Sequence, residues 1–383
     1  MSRVAGGENL PAVVVGAGPA GLATSRELRR RGIDHRVLER GDRLGAAWAE
    51  QYESLTLHTG KHLSALPGLR FPRSTPLFPK RDEFLAYLER YAREFSLPVE
   101  LGRRVTGIEA RNGGFGLATP QGALGAGSVV VATGIMSNPQ LPDLPGRSRF
   151  GGRVIHSVEY RRPEPFAGQR VLVVGSGNSA GEIAAELAAA GVRVALAVRS
   201  GANVVPRQLL GLPIQYWALP LTRLPRRAQR AVLNGLNRLG ELRRGPAVLP
   251  REGAPSNCPD VPLIGFHLVD AIRAGKIELR PGLAGFGPGS VIFADGRQEP
   301  VDSVILATGY RAAVDFLDGL IRRDPCGFAL RRDRVESADR PGLFFVGHNY
   351  DTRGGLYNIA LDARRAARGV ARRAARGQEA KPA

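Results

Sequence analysis

Lysine is nearly missing from this chain of 383 residues: Lys61, Lys80, Lys276 and Lys381 are its only four. Almost all of the basic charge is therefore arginine, and that usage, with a surplus of alanine and glycine, reads as the codon bias of a GC-rich genome. The formal net charge of +19 would otherwise suggest nucleic acid, a membrane surface or an anionic ligand. The arginines are dispersed, and no aromatic-plus-basic module stands among them, so nucleic acid is not expected as a partner. Cysteine is as scarce. Cys258 and Cys326 are the only two, and they form neither a CxxC pair nor a zinc-type cluster. That excludes a redox dithiol and a structural metal, and it fits a reduced, cytoplasmic protein. No run of about 18 apolar residues occurs, so no transmembrane span is expected. The apolar stretch from Leu10 to Val15 is too short for a signal peptide and leads straight into a glycine turn.

What is present is a repeat. The composition, 43% hydrophobic and 23% charged, is globular, and the length favours two domains. One segment reads Ala12-Val-Val-Val-Gly16-Ala17-Gly18-Pro19-Ala20-Gly21, then a helical stretch to Arg31, then Asp34-His-Arg-Val-Leu-Glu39-Arg40. The other reads Arg170-Val-Leu-Val-Val-Gly175-Ser176-Gly177-Asn178-Ser179-Ala180, a helical stretch to Ala190, then Val192 to Arg199 and Ser200. Each is a β-branched strand, a glycine turn, an amphipathic helix and a second strand. The interval from first glycine to strand-end residue is 39 − 16 = 23 in one copy and 199 − 175 = 24 in the other. A single GxGxxG would be weak; two in full βαβ context at matched spacing imply two dinucleotide sites.

The glycines divide the work. Gly16 and Gly175 permit the tight turn, Gly18 and Gly177 admit a pyrophosphate, and Gly21 and Ala180 let helix approach strand. The helix N-termini, with Pro19, Ala20, Asn178 and Ser179 in their first turns, offer N–H groups and positive potential to the phosphates. The strand ends differ chemically. Glu39, beside Arg40, is an acceptor suited to a ribose with free hydroxyls, as in FAD. Arg199, beside Ser200, can pair with a 2′-phosphate, as in NADPH. Two further strands match each other: Ser128 to Ala132-Thr133-Gly134, and Ser303 to Ala307-Thr308-Gly309-Tyr310. One per unit suggests α/β architecture with two nested Rossmann-like domains. FAD would take 1–149 and 311–383; NADPH would take 150–310, with a helical insertion at about 208–250.

Phe150-Gly-Gly152-Arg-Val-Ile-His156-Ser-Val-Glu-Tyr160 fits FxGxxxHxxxY, and Asp302 to Tyr310 fits DxxxLATGY. With Leu57-His58-Thr-Gly-Lys61, these segments resemble the flavin-containing monooxygenases, most closely plant YUCCA-type and bacterial relatives. The resemblance extends from Gly16 to about Ala360. It implies that NADPH reduces FAD, that O2 adds at flavin C4a, and that the (hydro)peroxide passes one oxygen atom to a small organic substrate. It nominates His58, His156 and Tyr160 as catalytic or positioning residues: His58 lining the flavin or packing a loop, His156 and Tyr160 placing NADP+ or bracing a linker. Trp48 would shield the flavin or fill the core. No metal is implied. Position 160 is tyrosine where Baeyer–Villiger relatives carry tryptophan, and His58 replaces an asparagine of animal-type members. Oxidative decarboxylation of a 2-keto acid, Baeyer–Villiger or N-hydroxylation chemistry, and a non-catalytic NADP(H)-binding flavoprotein sensor remain alternatives, and a homo-oligomer is left open. A basic, amphipathic stretch from Trp217 to Arg244 reads as helices covering the core, or as a membrane or partner face.

Overall fold

The computed structural model describes residues 10–221, 224, 225, 227, 228, 231, 235, 245–249, 262–351 and 353–379. The chain divides into two compact units. The first comprises residues 1–49, 59–138 and 311–383, and the second 50–58 and 139–310. This differs in detail from the sequence expectation, because Glu50–His58 and residues 139–149 pack with the second unit.

In the first unit, β1 (Ala12–Val15) is fully buried and pairs in parallel with β2 (His35–Leu38) and β4 (Ser128–Val131). Ala12 sits in register with both His35 and Ser128. β3 (Val99–Glu100) extends the sheet beyond β2, and β10 (Leu343–Phe345) extends it beyond β4. These five strands are parallel, and a short antiparallel pair, 331–332 and 336–337, closes the edge beside β10. The run of valines in β1 and β4 is what a strand covered on both faces requires. Helix α1 (Pro19–Arg29) and the C-terminal helix α5 (Gly355–Glu379) pack together. Gly369 of α5 rides against the ring of Phe344 in β10. Helix α2 (Arg81–Glu94) brings Phe84, Tyr87 and Tyr91 into an aromatic stack with Phe71.

The second unit repeats the plan. Its sheet runs β8 (Ile277–Pro281), β7 (Arg193–Val198), β6 (Arg170–Val174), β9 (Ser303–Leu306), β5 (Arg153–His156), all parallel. Helix α3 (Asn178–Ala189) joins β6 to β7, and α4 (His267–Arg273) precedes β8. Each unit also carries a three-stranded antiparallel meander, 107–126 in the first and 283–300 in the second. The doubly wound α/β class expected from the repeat is the observed one. Within the 208–250 segment, the structure describes a two-stranded hairpin and the helix Ile214–Leu221. Most of the amphipathic stretch, and Cys258, lie outside the described residues. Cys326 is not a free thiol, against the expectation of a reduced pair. Among the described residues no helix is long and apolar enough to cross a membrane, and no His/Cys/Asp/Glu cluster could hold a metal.

The two glycines that open α1 are constrained differently. A Cβ at Gly21 would collide with the carbonyl oxygen of Gly16, whereas one at Gly18 would meet nothing within 4 Å. We expect Gly21→Ala to destabilise the protein by roughly 2–4 kcal/mol and Gly18→Ala by less than about 0.5 kcal/mol, measured by urea unfolding without ligand. Equal costs would show that the turn is not packed as described.

Candidate functional site

In both units the strand–turn–helix join is set by backbone proximity. Gly16 adopts φ +104° and Gly175 φ +137°. A Cβ on Gly16 would stand 2.8 Å from the carbonyl oxygen of Ala132, and one on Gly175 would strike that of Ala307. The two Ala-Thr-Gly sequences are thus the neighbours of the two glycine turns. Their threonines behave alike: Thr133 Oγ1 donates to Ala313 O at 2.7 Å, and Thr308 Oγ1 to Gln140 O at 2.6 Å. The glycines complete each clamp, since Gly134 O accepts from Ala313 N and Gly309 O from Gln140 N. These side chains therefore fasten a crossing segment inside each unit, leaving backbone as what they can offer a nucleotide.

The helix N-termini are open. Gly18 caps α1 and Gly177 caps α3 without a side-chain hydrogen bond, and a Cβ at either would enter open space. Free N–H groups at the ends of helices of 11 and 12 residues, at the C-terminal edge of a parallel sheet, fit a pyrophosphate. Asn178 is engaged elsewhere: its Nδ2 donates to Pro262 O at 3.0 Å and its Oδ1 accepts from Ile264 N at 2.8 Å. Ser179, in the same turn, is half-buried. In the first unit Glu39 is 8% exposed, and its two oxygens accept from Ala17 N at 2.7 Å and Gly41 N at 2.8 Å. The carboxylate is held rigid beside the turn with lone pairs left for ribose hydroxyls. Arg40 is exposed, and so are Arg199 and Ser200 at the end of β7. Among the described residues Arg199 forms no ion pair. A cavity of about 530 Å³ lies beside this strand end, lined by Val198, Leu249, Leu279, Arg280 and Pro281. Trp48 packs edge-on against buried Phe84, ring centroids 4.7 Å apart.

The segment from Phe150 to Tyr160 is built into the second unit. Phe150 is buried against Phe286, 5.2 Å between rings. His156 is 1% exposed; its Nδ1 accepts from Val158 N at 3.1 Å, so its Nε2 is the nitrogen that donates to Gly309 O at 3.1 Å. Burial lowers its pKa, partly opposed by the Gly309 bond, and the ring is neutral with one tautomer fixed. Tyr310 meets it edge-on at 5.0 Å. Tyr160 is buried against Phe166, and its hydroxyl donates to Glu186 Oε2 at 2.9 Å. Burial, reinforced by the Glu186 charge, raises its pKa far above the ordinary phenol value.

His58 joins a cluster that the sequence did not reveal. Its Nε2 lies 2.6 Å from Glu182 Oε1, and the Tyr52 hydroxyl donates to Glu182 Oε2. Gln215 Nε2 donates to His58 O at 3.0 Å, and Arg207 Nη2 to Leu57 O at 2.9 Å. Burial alone would raise the Glu182 carboxyl, but the bonds from His58 and Tyr52 and the nearby Arg207 charge hold it below the usual value. The signal was two acids, Glu182 and Glu186, spaced i, i+4 on an otherwise apolar, alanine-rich helix.

The comparisons decide between the flavoenzymes that share this plan. The family model described as "Pyridine nucleotide-disulphide oxidoreductase" matches residues 13–209. Indole-3-pyruvate monooxygenase YUCCA1 of Oryza sativa subsp. japonica is 37% identical over 79% of this chain and 77% of its own length. The probable indole-3-pyruvate monooxygenase YUCCA1 of Arabidopsis thaliana is 34% identical over 92% of this chain and 87% of its own. The chain belongs to the flavin-containing monooxygenase family. A solved flavin-containing monooxygenase from Stenotrophomonas maltophilia superposes with TM-score 0.74 at 26% identity, covering 95% of this chain and 98% of that one. This family member is an FAD- and NADPH-dependent oxidoreductase that transfers one oxygen atom from O2 to a small organic molecule. The names of these relatives do not favour a non-catalytic sensor.

One buried group stands apart. His348, just after β10, is 2% exposed, and neither ring nitrogen has a hydrogen-bond partner among the described residues. Burial, aided by the Arg331 charge, pushes its pKa down to about 3. The imidazole is neutral when folded but charges in the unfolded chain below about pH 6.5. The unfolded state then binds the extra proton, so stability present above that pH is lost as pH falls toward 3. We expect the cofactor-free enzyme to lose about 2 kcal/mol between pH 7 and pH 5 through this one residue. His348→Phe should remove that part of the slope, as read from urea midpoints at the two pH values; parallel slopes would refute the assignment.

Proposed function

We propose that the first unit holds FAD and the second holds NADPH, through the residues the two turns present. The observation that carries this reading is the pair of uncapped helix N-termini, one beside a carboxylate and the other beside a guanidinium with no ion pair among the described residues. Gly18 leaves the pyrophosphate of FAD room at α1, and Glu39, anchored by Ala17 and Gly41, accepts from the adenosine ribose. Gly177 does the same for NADPH at α3, and Arg199 pairs with the 2′-phosphate. A 2′-phosphate beside Glu39 would be repelled, which keeps the two cofactors to their own units. FAD, when bound, supplies the electron transfer and the reaction with O2.

The chain's own part is binding, orientation and exclusion of water. His156, with both nitrogens committed to backbone, acts as a brace and not as an acid or base. Its bond to Gly309 fixes the end of β9 beside the α3 turn. Tyr160 and Tyr52 tie their segments to Glu186 and Glu182 on α3. His58 is bonded through Nε2 to Glu182, and we assign it the role of positioning the 50–58 segment against α3. The substrate is a small organic molecule. Indole-3-pyruvate, for which the plant relatives are named, is the first compound to offer, followed by aryl 2-keto acids, sulfides and amines.

Steady-state NADPH oxidation tests the cofactor assignment. Arg199→Ala should raise KM for NADPH roughly 10- to 100-fold, by loss of a charge-assisted phosphate contact, and leave KM for NADH unchanged. Gly177→Leu should abolish reduction by NADPH while dithionite still reduces the bound flavin. Wild-type enzyme that used NADH as well as NADPH would remove the 2′-phosphate site from Arg199.

A further inference from the structure

Residues 208–222 take no part in either proposed cofactor site and carry no charged side chain; Arg207 and Arg223 stand at the two ends of the stretch. The structure forms it into the hairpin 208–213 and the helix Ile214–Leu221, both within the second unit. The element is firmly mounted. Gln215 Nε2 donates to His58 O and Arg207 Nη2 to Leu57 O, which ties its root to the 57–58 segment of the same unit.

Its polarity is inverted. The buried side chain of the helix is an amide, Gln215 at 2% exposure, while the Trp217 indole is 36% exposed. At the turn of the hairpin Leu210 is 82% exposed, and Leu212 is 49% exposed. These three make one surface around Leu209. Leu212 is its register partner, Leu210 follows it in the chain, and the Trp217 Nε1–H donates to Leu209 O at 3.1 Å. Leu210 and Gly211 have φ +51° and +75°, both left-handed. Such a turn favours asparagine followed by glycine, so this leucine suits the place neither by its backbone nor by its side chain. Scattered surface leucines need no explanation; two leucines and a tryptophan together on one exposed turn do. The indole N–H is already satisfied, so the ring can leave water without burying an idle donor.

The charges that follow select the partner. From Arg223 to Arg244 the sequence has seven arginines and one acid, Glu241, and Arg227 is exposed among the described residues. A second copy of the chain would bring like charges together. A nucleic acid would meet a contact surface without charge. An anionic bilayer satisfies both features: its apolar layer receives the leucines and the indole, and its headgroups receive the arginines. We propose that the hairpin 208–213 and the helix Ile214–Leu221 dock this enzyme on anionic phospholipid membranes, at the depth of the headgroups and without spanning the bilayer.

The test uses the full-length enzyme with its flavin bound, and vesicles that can be pelleted. Wild type should pellet with vesicles of phosphatidylglycerol and phosphatidylcholine and stay in solution with phosphatidylcholine alone. Raising the salt from about 0.1 M to about 0.5 M should release most of it. Leu210→Asn combined with Leu212→Ser should weaken binding to the mixed vesicles about tenfold, through lost apolar burial. Because asparagine suits the turn, the melting temperature and NADPH oxidation without vesicles should stay at their wild-type values. Lipids brominated on the acyl chains should quench tryptophan emission in wild type, and Trp217→Phe should remove that quenching. Wild type that stays in solution with the mixed vesicles would overturn the proposal. So would equal binding to the uncharged vesicles. Undiminished binding by the Leu210→Asn, Leu212→Ser variant would overturn it too, because the lipid contact would then lie elsewhere. A wild-type dimer that the same double variant converts to monomer, with no vesicle binding by either, would give the surface to a second copy and overturn it as well.

Discussion

The structure hangs on one steric fact, met twice: a glycine at the end of a strand lies under the carbonyl oxygen of the neighbouring strand. Gly16 sits beneath Ala132, and Gly175 beneath Ala307. A side chain at either position would push the strands apart, and the positive φ at both disfavours any residue with a Cβ. Close approach has a consequence for chemistry. It brings the helix N-terminus to the sheet edge without a side-chain cap, so the same contact that closes the fold leaves the helix end open, as the proposed phosphate contact requires.

The side chains of the FxGxxxHxxxY segment are engaged within the second unit. Phe150 fills the core of the second unit, His156 binds only backbone, and the Tyr160 hydroxyl ends on a carboxylate of α3. A histidine with one nitrogen accepting and the other donating has no free site for a proton, and its depressed pKa follows from the same burial. What such residues contribute to a flavoenzyme is geometry. The organic reaction belongs to the cofactor, and the protein's influence comes from where rigid elements hold it.

The strand–turn–helix units were legible because their signals are local. Valine runs mark strands buried on both faces, glycine spacing marks the turn, and Glu39 and Arg199 follow at fixed intervals. The excursion of Glu50–His58 into the second unit was not legible. It is held by bonds from Tyr52 and His58 to Glu182, separated in sequence by 130 and 124 residues, and no periodicity records such a pairing. The side-chain partners of Asn178 were illegible for a related reason. Its place in the first turn of α3 suggests a phosphate contact, yet the 262–264 segment, remote in sequence, takes both ends of its amide. The meanders, short and glycine-rich, lack the alternation that would have identified them as strands.

Two sites made from one template must still tell their ligands apart, and the backbone cannot do it. Both turns offer the same amides at the same kind of helix end. On the proposed assignment, discrimination falls to the residue at the end of the second strand, where the two copies differ by a full reversal of charge. Glu39 is immobilised by two backbone donors, so it cannot swing away from an incoming phosphate. Repulsion between two anions at short range is weakly screened where one of them is buried. Arg199 is the opposite case: exposed and unpaired among the described residues. On the proposed assignment, a fixed carboxylate in one copy and an exposed guanidinium in the other are what would let a duplicated fold hold two nucleotides without exchanging them.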